Sequence, residues 1–352
     1  MRKKEFLIFG VIISLLLVII VFALPSLTTV TLSSSNNTDT YLENLSITTD
    51  QDDNASVKLI YNWYKDDNSI TVLNMPFEAD GDQNATDYSG YDNDGTVTST
   101  TWSSSSGYDG KGAHYFGYYE NDAIVIDYNE SLDLQSFSIS FWLNIDEFND
   151  WSNWIVARPY DCASSYDPFY EYGISYFTGN GLEYRIDGGY ASTQVKLTEN
   201  SWNHIVQVHN GTNTMIYVNG SLAYTGIGDS SINYDNDCGI RIGTDVSDGS
   251  DFNGYIDDLI IFNHSISAGQ VLALYENKTD TIVTQEISID DLWNATVTPN
   301  DGTQEGTTLW SNTLTILEEA AEEPEAVPEF SDYAIALLLL TIVGGFFVMR
   351  RK

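Results

Sequence analysis

The segment Phe137-Ser-Ile-Ser-Phe-Trp-Leu-Asn-Ile145 places Phe137, Ile139, Phe141, Leu143 and Ile145 at every second position. Side chains on an extended strand point alternately to opposite faces, so this spacing predicts a half-buried β-strand and excludes a helix. Trp202 to Val208 and Gly254 to Phe262 read as further strands. Met215–Val218 and Ser221–Tyr224 are joined by Asn219-Gly220, a two-residue hairpin signal. Many short strands separated by Gly, Asn and Asp turns predict an all-β sandwich or jelly roll. One helix is expected after Ser267, which can cap it, with Gln270 three residues on as in a capping box and Val271, Leu274 and Tyr275 on one face.

The two ends have a different character. Arg2-Lys3-Lys4 precede an apolar run from Phe6 to Leu24, the pattern of an export signal. Residues 1–27 are expected to be either a signal peptide, cleaved after Ala23, or an uncleaved anchor, since the run is long enough to cross a hydrocarbon core of about 30 Å. Residues 318–332 are an acidic, Pro-containing stretch expected to form a flexible stalk. Tyr333 to Met349 carries no charge and is followed by Arg350-Arg351-Lys352. Residues 333–352 therefore read as a transmembrane helix with a basic cytoplasmic tail. The expected location of everything between is the extracellular face of the cell membrane.

Charge supports that placement. Of the 14 Lys and Arg, six lie in the terminal clusters, leaving eight elsewhere against 51 Asp and Glu. A basic nucleic-acid footprint is absent, which removes that class of partner. Ten Asn-x-Ser/Thr sequons occur, at Asn36, Asn44, Asn54, Asn84, Asn129, Asn210, Asn219, Asn263, Asn277 and Asn294, and in an exported chain they predict a glycoprotein. Cys162 and Cys238 suit an oxidising exterior and are expected to bridge; two free thiols are the alternative.

From about Met75 to Asn277 the chain resembles the laminin-G-like, concanavalin-type jelly roll of prokaryotic surface proteins. The matching residues include Pro76-Phe-Glu78, Asp87-Tyr-Ser-Gly-Tyr-Asp-Asn-Asp-Gly95 and Gly107-Tyr-Asp-Gly-Lys-Gly-Ala113. They continue through Phe137-Ser-Ile-Ser-Phe-Trp142, Trp202-Asn-His-Ile-Val206 and Ile216-Tyr-Val-Asn-Gly220 to Phe252-Asn-Gly-Tyr-Ile-Asp-Asp-Leu-Ile-Ile-Phe-Asn263. The resemblance implies a two-sheet sandwich over residues 75–278 and a binding or adhesive role. The C-terminus resembles the archaeal sorting signal with a Pro-Glu-Phe box, here Pro328-Glu329-Phe330. That likeness implies cleavage by a membrane transpeptidase and a lipid in place of the helix; a plain stop-transfer anchor is the alternative.

The flanks have their own pattern. Val57 to Lys65 followed by a polar turn looks like the central strand of an immunoglobulin-like sandwich, with Trp63 as its core aromatic. Asp291-Leu-Trp-Asn-Ala-Thr-Val297 has the spacing of that fold's late strand, with Trp293 at the corner position and Ala295 where a disulfide cysteine would stand. Neither flank has strands enough for a sandwich alone. Residues 28–74 and 279–317 are therefore expected to form one immunoglobulin-like domain into which the jelly roll is inserted.

No catalytic constellation is present. There is no Glu-x-Asp-x-x-Glu string, and Asp146-Glu147 would point to opposite faces of a strand. Gly-x-Ser-x-Gly, His-Glu-x-x-His and a phosphate-cradling Lys loop are missing too, so the chain does not read as an enzyme. Calcium is the ion that the oxygen donors suit, and the candidate ligands are Asp87, Asp92, Asn93, Asp257 and Asp258; solvated carboxylates are the alternative. Aromatics crowd between Trp151 and Tyr172. Trp151, Tyr160, Tyr166, Phe169 and Tyr170 are the candidate carbohydrate contacts, with core packing as the competing reading, particularly for Trp154 and Tyr172. The expected function is a membrane-anchored adhesion protein that recognises carbohydrate with calcium stabilisation. The alternative is a structural envelope protein acting through protein contacts.

Overall fold

The computed structural model describes residues 24–52, 54–81, 83–117, 122–147, 153–162, 170–234, 237–244 and 252–319. The expected signal segment over residues 1–23 and the sorting box and terminal helix within 320–352 lie outside the described residues. Among the described residues no helix is long and apolar enough to cross a membrane. Residues 1–317 form one unit and 318–352 a second, of which Glu318 and Glu319 are described.

The first unit is all-β with jelly-roll-like sheets. Sheet 1 runs in the order Gly189–Ser192, Gly181–Ile186, Tyr170–Phe177, Asn153–Pro159, Ile240–Ile242, Ala123–Ile126, Gly95–Thr98, Asn84–Ala85. Sheet 2 runs Ser221–Ile227, Asn213–Val218, Trp202–His209, Phe137–Ile145, Gly254–Phe262, Ala113–Phe116, Thr101–Ser103, with Thr71–Met75 also pairing to Gly254–Phe262. One core fills the space between the two sheets. Phe137, Ile139, Phe141, Leu143 and Ile145 all enter it from sheet 2, facing Tyr172, Ile174, Tyr176 and Ile242 of sheet 1.

The central strand departs from expectation on its other face. Ser138, Ser140 and Trp142, expected at the solvent side, are also buried. Ser138 Oγ donates to the carbonyl of His264 at 3.0 Å, and Ser140 Oγ pairs with His204 Nε2 at 3.0 Å. Trp142 stacks on Tyr108. The outer face of sheet 2 is covered because a second core lies against it. Val206, Val208, Tyr217 and Phe262 of sheet 2 pack there with Leu32, Ile47, Trp63 and Trp293 of the flanks.

The flanks meet in space. Lys58–Lys65 pairs antiparallel with Leu292–Asn300 from Lys65↔Trp293 to Lys58↔Asn300. Leu45–Thr49 pairs with both Val30–Ser34 and Thr281–Ile282. Trp63 and Trp293 cross edge-to-face with centroids 6.4 Å apart, and Trp63 Nε1 donates to the carbonyl of Thr279 at 3.0 Å. This second core is shared with sheet 2 rather than closed on itself.

The hairpin and the helix follow local rules. Asn219 and Gly220 both take positive φ, 49° and 74°, as a type I′ turn requires. The helix Ala268–Tyr275 begins with Ser267 Oγ accepting from the amide of Gln270 at 3.2 Å. The reciprocal half of the capping box differs from expectation. Gln270 bonds the backbone at Thr281 and Val283, while Glu286 accepts the Ser267 amide at 2.7 Å. A carboxylate distant in sequence thus takes the place assigned to Gln270.

Candidate functional site

The flanks cover sheet 2, and on the outer face of sheet 1 the middle strands are buried as well, Trp154, Ala157 and Tyr170 forming a third small core, so that this face opens at the edge strand Gly189–Ser192. Its outward residues follow from register. Ile240, Ile242, Tyr172, Ile174, Leu182 and Tyr184 point into the core. Arg241, Gly173, Ser175, Glu183 and Arg185 alternate with them and point away. One row crosses the sheet from Arg241 through Ala157, Gly173 and Arg185 to Tyr190.

Small residues in that row make room for large neighbours. A Cβ on Gly173 would lie 2.8 Å from the carbonyl oxygen of Val156 and 3.1 Å from the Trp154 ring. The glycine is what lets Trp154 lie down on the sheet. Tyr170 packs on Trp154 with ring centroids 4.0 Å apart. Arg185 stands 5.4 Å from the Trp154 centroid and 4.1 Å from that of Tyr190. Burial draws the Arg185 guanidinium below its usual value, against the opposing charge of Glu183.

Tyr190 is the open end of the row. It follows the tight turn at Asp187-Gly188, and its side chain is 53% exposed. Its hydroxyl donates to Glu183 Oε1 at 2.6 Å and accepts from Asn180 Nδ2 at 2.8 Å. The result is a flat aromatic ring held at its edge, flanked by a guanidinium on one face.

The aromatic candidates fare unevenly. Trp151, Tyr166 and Phe169 lie outside the described residues. Tyr160 is 38% exposed, just past the end of Asn153–Pro159. Tyr170 is only 2% exposed, a correction to its reading as an open contact: its ring is spent against Trp154. Tyr172 is a core residue, its phenol pushed up to about 12 by burial and donating to the carbonyl of Leu132. Tyr190, Arg185 and Arg241 were missed. Their signal in the sequence is the rarity of arginine: outside the terminal clusters it occurs only at 158, 185 and 241, all on strands of this sheet.

Cys162 and Cys238 are bridged, with Cα atoms 5.4 Å apart. They tie the end of Asn153–Pro159 to the start of Ile240–Ile242, two hydrogen-bonded neighbours. Beside the bridge, Arg158 is fully buried. It is paired with Asp133 and with Glu171 at 2.7 Å, and its guanidinium lies 4.4 Å from the Tyr234 ring. Of the ten sequons, Asn36, Asn44, Asn54, Asn84, Asn210, Asn263 and Asn277 are exposed, and Asn129, Asn219 and Asn294 are half-buried. Asn84, on the far edge strand, is the one sequon on a strand of sheet 1.

The residues expected to hold calcium are already engaged. Asp87 Oδ1 accepts the amides of Asn74 and Ser89, and Oδ2 accepts the Ser89 hydroxyl and the Asn93 amide. Asn93 donates to the Val72 carbonyl and to Ser131, and Asp92 is exposed. Asp257 accepts the amides of Tyr108 and Asp258. Lys58, reaching in from the flank, sits 2.9 Å from Asp258, 2.9 Å from Asp109 and 3.5 Å from Glu78. A protein ammonium thus occupies the centre of the acidic cluster. Among the described residues no three His, Cys, Asp or Glu side chains gather as metal ligands. Of the expected ligands, Asp87, Asn93, Asp257 and Asp258 each have protein partners in place and Asp92 is exposed.

A cleft of about 370 Å³ lies beside the flank, lined by Lys65, Ile70, His264, Glu286 and Trp293 among others. Its basic side chains already have acidic partners: Lys65 pairs with Asp291 at 2.7 Å and His264 Nε2 lies 3.3 Å from Glu286.

Residues 116–272 match the family model of the concanavalin A-like lectin/glucanases superfamily. The match covers most of the sandwich, whose two jelly-roll-like sheets are similar to that superfamily's fold. Solved structures with a similar fold include domain 4 of AbnA, an extracellular arabinanase from Geobacillus stearothermophilus, in complex with arabinotriose. It is 18% identical with a TM-score of 0.47, over 58% of this chain and 98% of that one. Trypanosoma rangeli sialidase with the inhibitor DANA is 14% identical (TM-score 0.46; 58% of this chain, 32% of that chain). The binding domain of Paraclostridial Mosquitocidal Protein 1 is 20% identical (TM-score 0.45; 59% of this chain, 52% of that chain). This chain therefore corresponds to only part of the last two. No curated protein matches the sequence.

Proposed function

We propose that this chain is a binding protein of the cell surface that recognises carbohydrate on the outer face of sheet 1. The observation that carries the reading is Tyr190. An exposed aromatic face, with its hydroxyl fixed by Glu183 and Asn180, is suited to the apolar C–H face of a sugar ring. Arg185 beside it supplies the fixed donors that orient a polyol. The match to the concanavalin A-like superfamily supports the reading, and so does the distribution of sequons, none of which falls on Gly181–Ile186 or Gly189–Ser192.

The role is binding rather than turnover. Glu183, the carboxylate beside Tyr190, is 2% exposed and bound by Tyr190, Asn180 and Arg185, an arrangement that positions an aromatic and not a proton donor. The apolar segments at the two ends, with their basic flanks, anchor the protein at the extracellular face of the membrane, through a retained helix or a lipid after sorting. Residues 28–74 and 279–317 form an immunoglobulin-like support that holds sheet 2 and turns sheet 1 outward. Lys58 supplies positive charge beside Asp258, one of the residues where calcium was expected, and the reading does not depend on calcium.

A second reading, docking to neighbouring envelope proteins, draws on the edge strand Ser221–Ile227, where Leu222 is 55% and Ile227 86% exposed. The two are separated by screening the purified full-length chain against a glycan panel and measuring its self-association. Saccharide-specific binding supports the first. Association without any saccharide preference, abolished by Ile227→Lys, supports the second.

A further inference from the structure

The chain leaves the flank for the sandwich between Lys58–Lys65 and Thr71–Met75, and returns after Gly254–Phe262. Lys58 and Asp258 stand on the outgoing and the returning strand, 200 residues apart in sequence, and their side chains meet at the seam. Lys58 Nζ is 2.9 Å from Asp258 Oδ1 and 3.1 Å from Oδ2. Both oxygens are bonded to Cγ, so that carbon lies within about 3.5 Å of the nitrogen, a near-attack separation. The two side chains are 13% and 14% exposed. Among the described residues the Asp258 carboxylate meets no other donor.

The backbone aims Asp258 at the lysine. Where Phe137–Ile145 pairs with Gly254–Phe262 the register shifts, so that Phe141 alone lies opposite both Asp258 and Leu259. At this bulge Asp258 takes a φ of 48°, a left-handed conformation uncommon for any residue but glycine. Strain of that kind persists where the surroundings hold a side chain in one place. The other carboxylates have different partners. Asp257 accepts the amides of Tyr108 and Asp258, and Asp109 accepts the amide of Lys111. Glu78 Oε2 accepts the amide of Gly112 at 3.0 Å. Its Oε1 is buried 3.5 Å from Lys58 Nζ and has no hydrogen-bond partner among the described residues. A carboxyl fixed by one oxygen, with the other free beside the amine, is placed to move a proton.

We propose that Lys58 and Asp258 join in an intramolecular isopeptide bond, with Glu78 carrying the proton. The ion pair at the seam is the arrangement from which the bond forms. Once the pair has exchanged a proton, the neutral amine attacks Cγ of the neutral carboxyl group. Glu78 takes a proton from the nitrogen and delivers it to the departing oxygen of Asp258. The Nζ–Cγ bond forms, one Cγ–O bond breaks and a single water leaves, with no oxidant or other reactant. Burial favours the product, because a neutral amide replaces an ion pair that is costly to keep away from water. The bond clasps the two crossings between flank and sandwich, whichever ligand the sandwich takes.

The test is peptide mapping of the purified full-length chain by mass spectrometry, with the disulfide reduced. The expected result is a branched peptide joining Lys58 to Asp258, lighter than its two parts together by one water, and no tryptic cut after Lys58. Lys58→Arg, which keeps the cation, and Asp258→Ala should each give two separate peptides. Glu78→Gln should slow linking in freshly made protein by about a hundredfold or more, with circular dichroism confirming that the variant is folded. A wild-type chain that trypsin cuts after Lys58, with the two peptides separate, overturns the proposal. A link from Lys58 to Asp109 overturns the choice of Asp258. Linking at the wild-type rate in folded Glu78→Gln overturns the part given to Glu78.

Discussion

Lys58 shows how one residue couples the flank to the jelly roll. Its ammonium is 13% exposed and touches carboxylates that are 0 to 14% exposed. Burial alone would lower its pKa, but Asp258, Asp257, Asp109 and Glu78 together hold it above the usual lysine value. That stabilisation is present throughout neutral pH and is lost only when the pH climbs beyond the lysine range. Lys58→Met should leave several buried acids without their cation and destabilise the protein by about 3–5 kcal/mol, measured by denaturant unfolding at neutral pH. A loss within about 0.5 kcal/mol would show that the cluster needs no cation.

Two neighbouring carboxyls are also shifted upward, into a lower pH window. Burial pushes Glu78 and Asp80 each up to about 7. Between about pH 4 and pH 7 the folded chain holds protons there that the unfolded chain has released. The free energy of unfolding should therefore fall as pH rises through that window, by at most about 3 kcal/mol for Glu78 and about 4 kcal/mol for Asp80. Asp80→Asn should flatten the slope. A series of denaturation curves from pH 4 to 8 decides the matter; a slope of opposite sign that Asp80→Asn leaves untouched would contradict it.

At the scale of elements, the alternation of Phe137–Ile145 was legible because period two is a property of the strand itself. What covers its second face was not, since that depends on the flank, whose strands come from both ends of the chain. The Asn219-Gly220 turn was legible for the same local reason. The Glu286 cap was not, because the carboxylate comes from another element. The row from Arg241 to Tyr190 joins five strands through pairings that the sequence does not state, so the aromatic density around residues 151–172 drew attention first. The disulfide is an element-scale device. It closes a sequence separation of 76 residues, and in the chain-entropy view contributes roughly 4 kcal/mol. Cys162→Ser with Cys238→Ser should lower the thermal midpoint. An unchanged midpoint would remove the bridge from the account.

At the scale of the molecule, the two broad faces of the sandwich are used differently. Sheet 2 is buried beneath a second core that both flanks build, while sheet 1, buried at its middle strands, opens at the edge strand Gly189–Ser192, where Tyr190 stands exposed. The division assigns support to one face and recognition to the other. Its most direct test compares the full-length wild-type chain with Tyr190→Ala by titration against the strongest saccharide found on a glycan panel. Tyr190 stands exposed at the end of the row, so its loss should leave the fold intact and weaken binding by about tenfold or more, the expected worth of one stacked ring. Unchanged affinity in Tyr190→Ala, with binding confirmed in the wild type, would place recognition elsewhere and contradict the assignment of sheet 1.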